Sequence, residues 1–130
     1  MKTVIDIIAE KENVFSMKGV SDELINQAEQ ELGLIFNKEY KSYLSVYGLV
    51  CYGSHELTGI CPFPRLNVVS VTIEEREYNP LTPKDYYVIE QLNIDGIVIW
   101  QSSEGKIYQT TPNSVPVKIA DSLSEYILNF

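Results

Sequence analysis

The sequence predicts an α+β domain: a mainly antiparallel sheet packed with N-terminal helices and closed by a C-terminal helix. Three observations point there. Residues 1–48 repeat their apolar side chains at helical spacing between recognisable caps. After Gly48 the composition turns to Val, Ile, Tyr and turn formers. Residues 94–108, IDGIVIWQSSEGKIY, hold the only Trp and run apolar, break at residues 101–105, then resume with Ile107 and Tyr108, which is a strand, a turn and a returning strand. Helices first, strands after and one helix at the end is the α+β order.

In chain order, residues 3–11 place Val4, Ile5 and Ile8 on one face, a short amphipathic helix laid over the core. Residues 13–19 break the pattern. Ser21 is the expected N-cap of a second helix, with Asp22 and Glu23 at the positive end of its dipole, Leu24, Ile25, Ala28 and Leu32 as its stripe, and Gly33 as its left-handed stop. Asn37 caps a third helix in which Tyr40, Tyr43, Leu44 and Tyr47 align before Gly48 closes it. Three tyrosines in a row read as core whose hydroxyls need partners, with a stacking platform for a ligand as the other reading.

Residues 49–52 and 56–61 read as short strands around Gly53-Ser54, and Pro62-Phe63-Pro64 ends the second because proline gives a ladder no donor. Residues 67–78, NVVSVTIEEREY, fit either periodicity: Val69, Val71 and Ile73 alternate, whereas Val68, Val69, Thr72 and Arg76 fall on one helical face. Residues 79–83, with two prolines, form a loop. Residues 86–92 are a strand of β-formers, and Gly105 supplies the positive φ of the hairpin after it. Residues 114–119 make the last strand, at an edge or bulge because of Pro116, and Asp121 caps a closing helix that returns Leu123, Tyr126, Ile127 and Phe130 to the core.

A chain of 130 residues is one domain and buries roughly two-thirds of its unfolded surface. Eighteen acids against ten bases give a net charge of -8, which opposes direct binding to nucleic acid or an anionic membrane and suits a basic protein partner as well as plain solubility. Residues 49–130 hold ten acids and five bases, residues 1–48 eight and five, so the larger excess lies on the sheet-bearing part. The start has acids among its apolar residues and no signal-like apolar run, and no stretch of 18 apolar residues occurs, so the expected compartment is the cytoplasm.

No enzymatic constellation stands out. His55 is the only histidine, and its adjacency to Ser54 in sequence is not triad geometry. Cys51, His55 and Cys61 are spaced more widely than usual zinc ligands, so no metal or other cofactor is expected and the cysteines read as small buried thiols. Glu74, Glu75 and Glu77 around Arg76 read as a solvated face open to partner recognition rather than acid–base machinery. Gly48, Gly53 and Gly59 are too far apart for a phosphate loop and lack its lysine. The acidic run lies beside tyrosine-bearing loops, and interface anchors favour aromatics set among charge. That nominates Glu74, Glu75, Glu77 and Asp85, with Tyr52, Tyr78 and Tyr86, as partner-binding residues.

The order of segments carries more than any one of them. Gly33-Leu34, Glu39-Tyr40-Lys41, Tyr43-Leu44, Tyr47-Gly48, Leu57-Thr58-Gly59-Ile60, Val68-Val69 with Thr72 and Arg76, residues 96–100 and 105–108, and residues 119–123 together resemble the SUKH superfamily, over about residues 19–130. That superfamily includes the fungal Smi/Knr-type cell-wall synthesis regulators and many bacterial immunity proteins. Where members commonly have proline before the third helix and Asn-Gly at its end, this chain has Phe36-Asn37-Lys38 and Tyr47-Gly48. The resemblance implies a helix over residues 68–78. It also implies a non-enzymatic inhibitor that binds and occludes a cognate polymorphic or contact-dependent toxin domain, frequently a nuclease, with a regulatory or scaffold module of cell-wall synthesis as the alternative.

Overall fold

Thr3 and Asp6 exchange hydrogen bonds, Thr3 Oγ1 accepting from the Asp6 amide at 3.2 Å and Asp6 Oδ2 from the Thr3 amide at 3.1 Å. This capping box starts α1 (Val4–Ala9), which buries Val4, Ile7 and Ile8. The computed structural model describes residues 2–129, so Phe130 lies outside the described residues. Ser21 caps α2 (Asp22–Leu32) and Gly33 ends it at φ 69, both as the sequence predicts, although Leu24 is 45% exposed and Glu29 takes a buried place instead. Asn37 caps α3 (Lys38–Val46) by accepting from the Glu39 amide at 3.0 Å.

Gly48 does not close α3. Tyr47 is already extended and opens β2 (Tyr47–Tyr52). The glycine is needed for close approach: a Cβ on Gly59 would lie 1.7 Å from the Gly48 carbonyl oxygen, and one on Gly48 would lie 2.6 Å from that of Lys18. The expected break at residues 13–19 contains β1 (Phe15–Lys18), which pairs antiparallel with β2 through Phe15 and Cys51 and through Ser16 and Val50. Phe15 and Met17 alternate with Ser16 and Lys18 as a strand requires, but the run is only four residues long, and Phe15, Ser16 and Lys18 are exposed.

β3 (His55–Leu57) completes an antiparallel sheet ordered β1-β2-β3, and stops earlier than the expected residue 61. Thr58 leaves that ladder to meet β4 (Tyr87–Gln91), its amide donating to the Ile89 carbonyl at 2.8 Å and its Oγ1 to that of Val88 at 2.7 Å. A second antiparallel sheet then runs β4, β5 (Val98–Gln101), β6 (Ile107–Thr110) and β7 (Val117–Ala120) in sequence order. Gly105 sits in the β5–β6 turn at φ 98. Residues 68–78 are helical, as the family resemblance implies, forming α4 (Val68–Tyr78). The last helix, α5 (Leu123–Leu128), is capped by Ser122 rather than Asp121: Ser122 Oγ accepts from the Glu125 amide at 3.1 Å, while Asp121 pairs with Lys118 Nζ at 2.5 Å.

Strand alternation splits the core in two. Tyr87, Ile89, Ile99 and Ile107 face the larger cluster with α1, α2, α3 and α5, whereas Val88, Val98 and Trp100 join Val71 and Tyr86 in a smaller one. Trp100 is fully buried and its Nε1 donates to Thr110 Oγ1 at 2.8 Å. Tyr40 and Tyr43 are core as well: Tyr40 Oη bonds Thr58 Oγ1 and Tyr43 Oη donates to the Thr58 carbonyl, each at 2.9 Å. The tyrosine stripe is therefore no exposed stacking platform.

Thr58→Val strips the hydroxyl that serves both Tyr40 and Val88, so we expect a loss of about 1–3 kcal/mol in urea unfolding. A tyrosinate titration should come in two stages. Burial pushes the hydroxyls of Tyr40, Tyr43 and Tyr87 well up, so the folded chain keeps them neutral while the unfolded chain ionises them near pH 10. Their contribution to stability is complete below about pH 10 and is lost as pH rises toward the folded values, so the last tyrosinate absorbance should appear together with loss of far-UV circular dichroism.

Candidate partner-recognition surface

The Asn67 side chain starts α4 by accepting from the amides of Val69 at 3.0 Å and Ser70 at 3.3 Å. Val68, Val71 and Thr72 turn inward, and Thr72 Oγ1 accepts from the Val88 amide at 3.0 Å, which fixes the helix against the outer edge of β4. Helical period then leaves Ser70, Ile73, Glu74, Glu77 and Tyr78 on the outer stripe, and all five are exposed. Ile73 is 49% and Tyr78 57% exposed, and Leu81 in the following loop is 55% exposed. Neither the Glu74 nor the Glu77 side chain has a hydrogen-bond or ion-pair partner among the described residues.

The acidic run is thus two acids outward and two residues turned to the fold. Glu75 is half-buried and accepts from Gln91 Nε2 at 2.5 Å and from Asn79 Nδ2 at 3.4 Å. Arg76 donates to the carbonyls of Leu32 and Lys84, each at 3.1 Å. Asp85 is half-buried, with Oδ2 accepting from the Ser103 amide at 3.3 Å. Tyr86 is 9% exposed and stacked on Tyr108 with ring centroids 4.7 Å apart, so it presents little of its ring to a partner. Tyr52 stands on β2 of the other sheet, with Lys11 Nζ 4.6 Å from its ring centroid. Of the seven nominated residues, Glu74, Glu77 and Tyr78 share one exposed stripe.

A buried carboxylate escaped the sequence reading. Glu90, 1% exposed, accepts from the Glu56 amide at 3.0 Å and from Tyr126 Oη at 2.5 Å, and His55 Nδ1 lies 3.1 Å from its Oε2. The one signal was an acid inside the apolar run of residues 86–92. Glu90 thereby ties β3 and α5 to β4, and His55 belongs to this tie. The thiols of Cys51 and Cys61 are free and half-buried, and burial pushes both upward. Among the described residues no group of three or more His, Cys, Asp or Glu is arranged to hold a metal ion, and no helix is long and apolar enough to cross a membrane.

A family model described as SMI1-KNR4 cell-wall, of the SUKH group, matches residues 1–130. The chain belongs to this family. No curated protein matches it. Within the SUKH frame, the residues quoted for the resemblance are largely internal: Tyr40, Tyr43, Thr58, Gly59, Val68 and Thr72 are all buried. The outer stripe of α4 is free to differ without disturbing them.

Removing an acid should separate these two roles. Glu90→Ala leaves the Glu56 amide and the Tyr126 hydroxyl without their acceptor, and we expect a loss of about 1–3 kcal/mol by urea denaturation. Glu74→Ala and Glu77→Ala should stay within about 0.5 kcal/mol of the parent in the same assay.

Proposed function

We propose that this SUKH protein is an immunity protein: it binds a cognate toxin domain, a basic nuclease, in the cytoplasm and neutralises it by occluding the active site without any catalysis of its own. The observation that carries the reading is the outer stripe of α4, where Ile73, Tyr78 and the adjoining Leu81 stand exposed beside Glu74 and Glu77, two acids with no role in holding the fold. A nuclease needs a cationic surface to hold phosphate, and exposed acids compete for that surface and speed encounter. Exposed apolar side chains in the middle of such a patch supply the anchors that charge alone does not. In this reading Glu75, Asp85 and Tyr86 brace the contact face from below and Tyr52 lies at a separate margin.

The family description also names the cell wall, which supports a second reading: a regulatory or scaffold module that binds a housekeeping partner of wall synthesis. The two part in one experiment. Co-expression with the nuclease domain of a toxin encoded beside the gene should restore growth, and Glu74→Lys with Glu77→Lys should abolish that rescue while leaving the fold intact. Association of the purified pair should slow by about tenfold or more when the ionic strength is raised into the range that screens exposed charges. A rate indifferent to salt, or rescue that survives both charge reversals, sinks the α4 surface. Absence of any rescue by the parent chain favours the wall-regulator reading.

A further inference from the structure

The two sheets have four outer edges, and two of them face each other. The edge of β4 is occupied by Thr58 and by Thr72, which accepts from Val88. β1 is four residues long, shifts register with β2 between Ser16 and Lys18, and exposes one large apolar side chain, Phe15. β7 is equally short and its pairing with β6 also shifts register, between Ile107 and Tyr108, but its outer edge carries more exposed apolar surface. Among the described residues, residues 115–120 make no backbone hydrogen bond beyond the ladder with β6. Val115, Val117 and Ile119, at alternate positions, are 69%, 63% and 42% exposed. This row of amides and carbonyls, interrupted at Pro116, which has no N–H, and flanked by branched apolar side chains, is a template for another strand.

We propose that β7 is the pairing edge of a homodimer, in which a second copy of this chain adds its own β7 antiparallel and joins two four-stranded sheets into one of eight. Charge selects the occupant. The chain is at net -8, yet residues 107–120 contain a single ionised side chain, Lys118, which is already paired with Asp121. This is a place where two equally acidic molecules approach with little mutual repulsion, whereas a strongly basic partner gains nothing from it. The edge is also self-complementary. A two-fold axis through Val117 sets Val117 against its own copy and Val115 against Ile119, and places Lys118 opposite Pro116 rather than opposite the other Lys118. The cross-strand pairs are then apolar on one side and free of like-charge contact on the other. The interface uses none of the α4 stripe, so the dimer and the toxin-binding reading stand or fall separately.

Sedimentation equilibrium of the full chain over a concentration series, at low and high salt, tests this. The expected result is a reversible dimer whose association strengthens with salt, because screening relieves repulsion between two acidic copies. Val117→Lys places two cations at the two-fold axis and should lower the association constant at least tenfold with an unchanged circular dichroism spectrum. Val115→Lys, outside the strand itself, should do the same and replaces it should Val117→Lys fail to fold. Glu74→Lys, on α4, should leave association unweakened. A chain that stays monomeric up to about 1 mM overturns the proposal. So does a dimer that salt dissociates, or one that neither β7 variant weakens.

Discussion

Four hydrogen bonds meet at Thr58, and they join the parts of the molecule that the chain makes separately. Its amide and hydroxyl donate to consecutive carbonyls of β4, while its hydroxyl oxygen and its carbonyl serve Tyr40 and Tyr43 from α3. At 2% exposure none of these groups has water as an alternative, so each missing bond costs the desolvation of a buried polar group. Gly59, next in sequence, lets the same segment lie against the Gly48 carbonyl, closer than any side chain allows. Helical and sheet layers are thereby fixed to one another within two residues.

The acids of this chain divide by what surrounds them. Glu29 accepts from the Phe36 amide at 2.8 Å and meets Lys41 at 3.3 Å, which fixes the link from α2 to α3. Glu39 reaches from α3 to the start of α5, where it accepts from the amides of Leu123 at 2.6 Å and Ser124 at 2.9 Å and so caps a helix far away in sequence. Glu90 holds the third junction. A carboxylate taken out of water is tolerated only when several donors replace the water, and each of these has them. A net charge of -8 is therefore not a measure of how acidic a partner finds the surface. The acids left to solvent are those, such as Glu74 and Glu77, that the fold leaves unbonded.

Legibility followed the range of the interactions. Caps at Ser21 and Asn37 and the left-handed Gly33 act within one turn of chain, and the sequence displayed them plainly. The 94–108 hairpin announced itself through an apolar run interrupted by a turn glycine. α4 was ambiguous because it is apolar on two sides: Val68 and Val71 inward, Ile73 and Tyr78 outward, so neither periodicity dominated until the resemblance to the family decided it. β1 was missed for a different reason, since its Phe15-Ser16-Met17-Lys18 alternation covers only four residues. Its side chains bury nothing of consequence, and only pairing with β2, some thirty residues later, makes it a strand.

By itself, the sequence determined the α+β class, the family, most helices and the central hairpin, because periodicity, caps and turns are properties of neighbouring residues. Tertiary structure alone decided which acids are staples and which are offered to solvent. It also decided that Tyr86 is shielded by Tyr108 while Tyr78 is bare, that Asp121 yields its cap to Ser122, and that β7 ends the sheet with an open apolar edge. Those outcomes rest on contacts between segments far apart in the chain, and a carboxylate or a tyrosine reads the same in sequence whether its hydrogen-bond partners are protein or water.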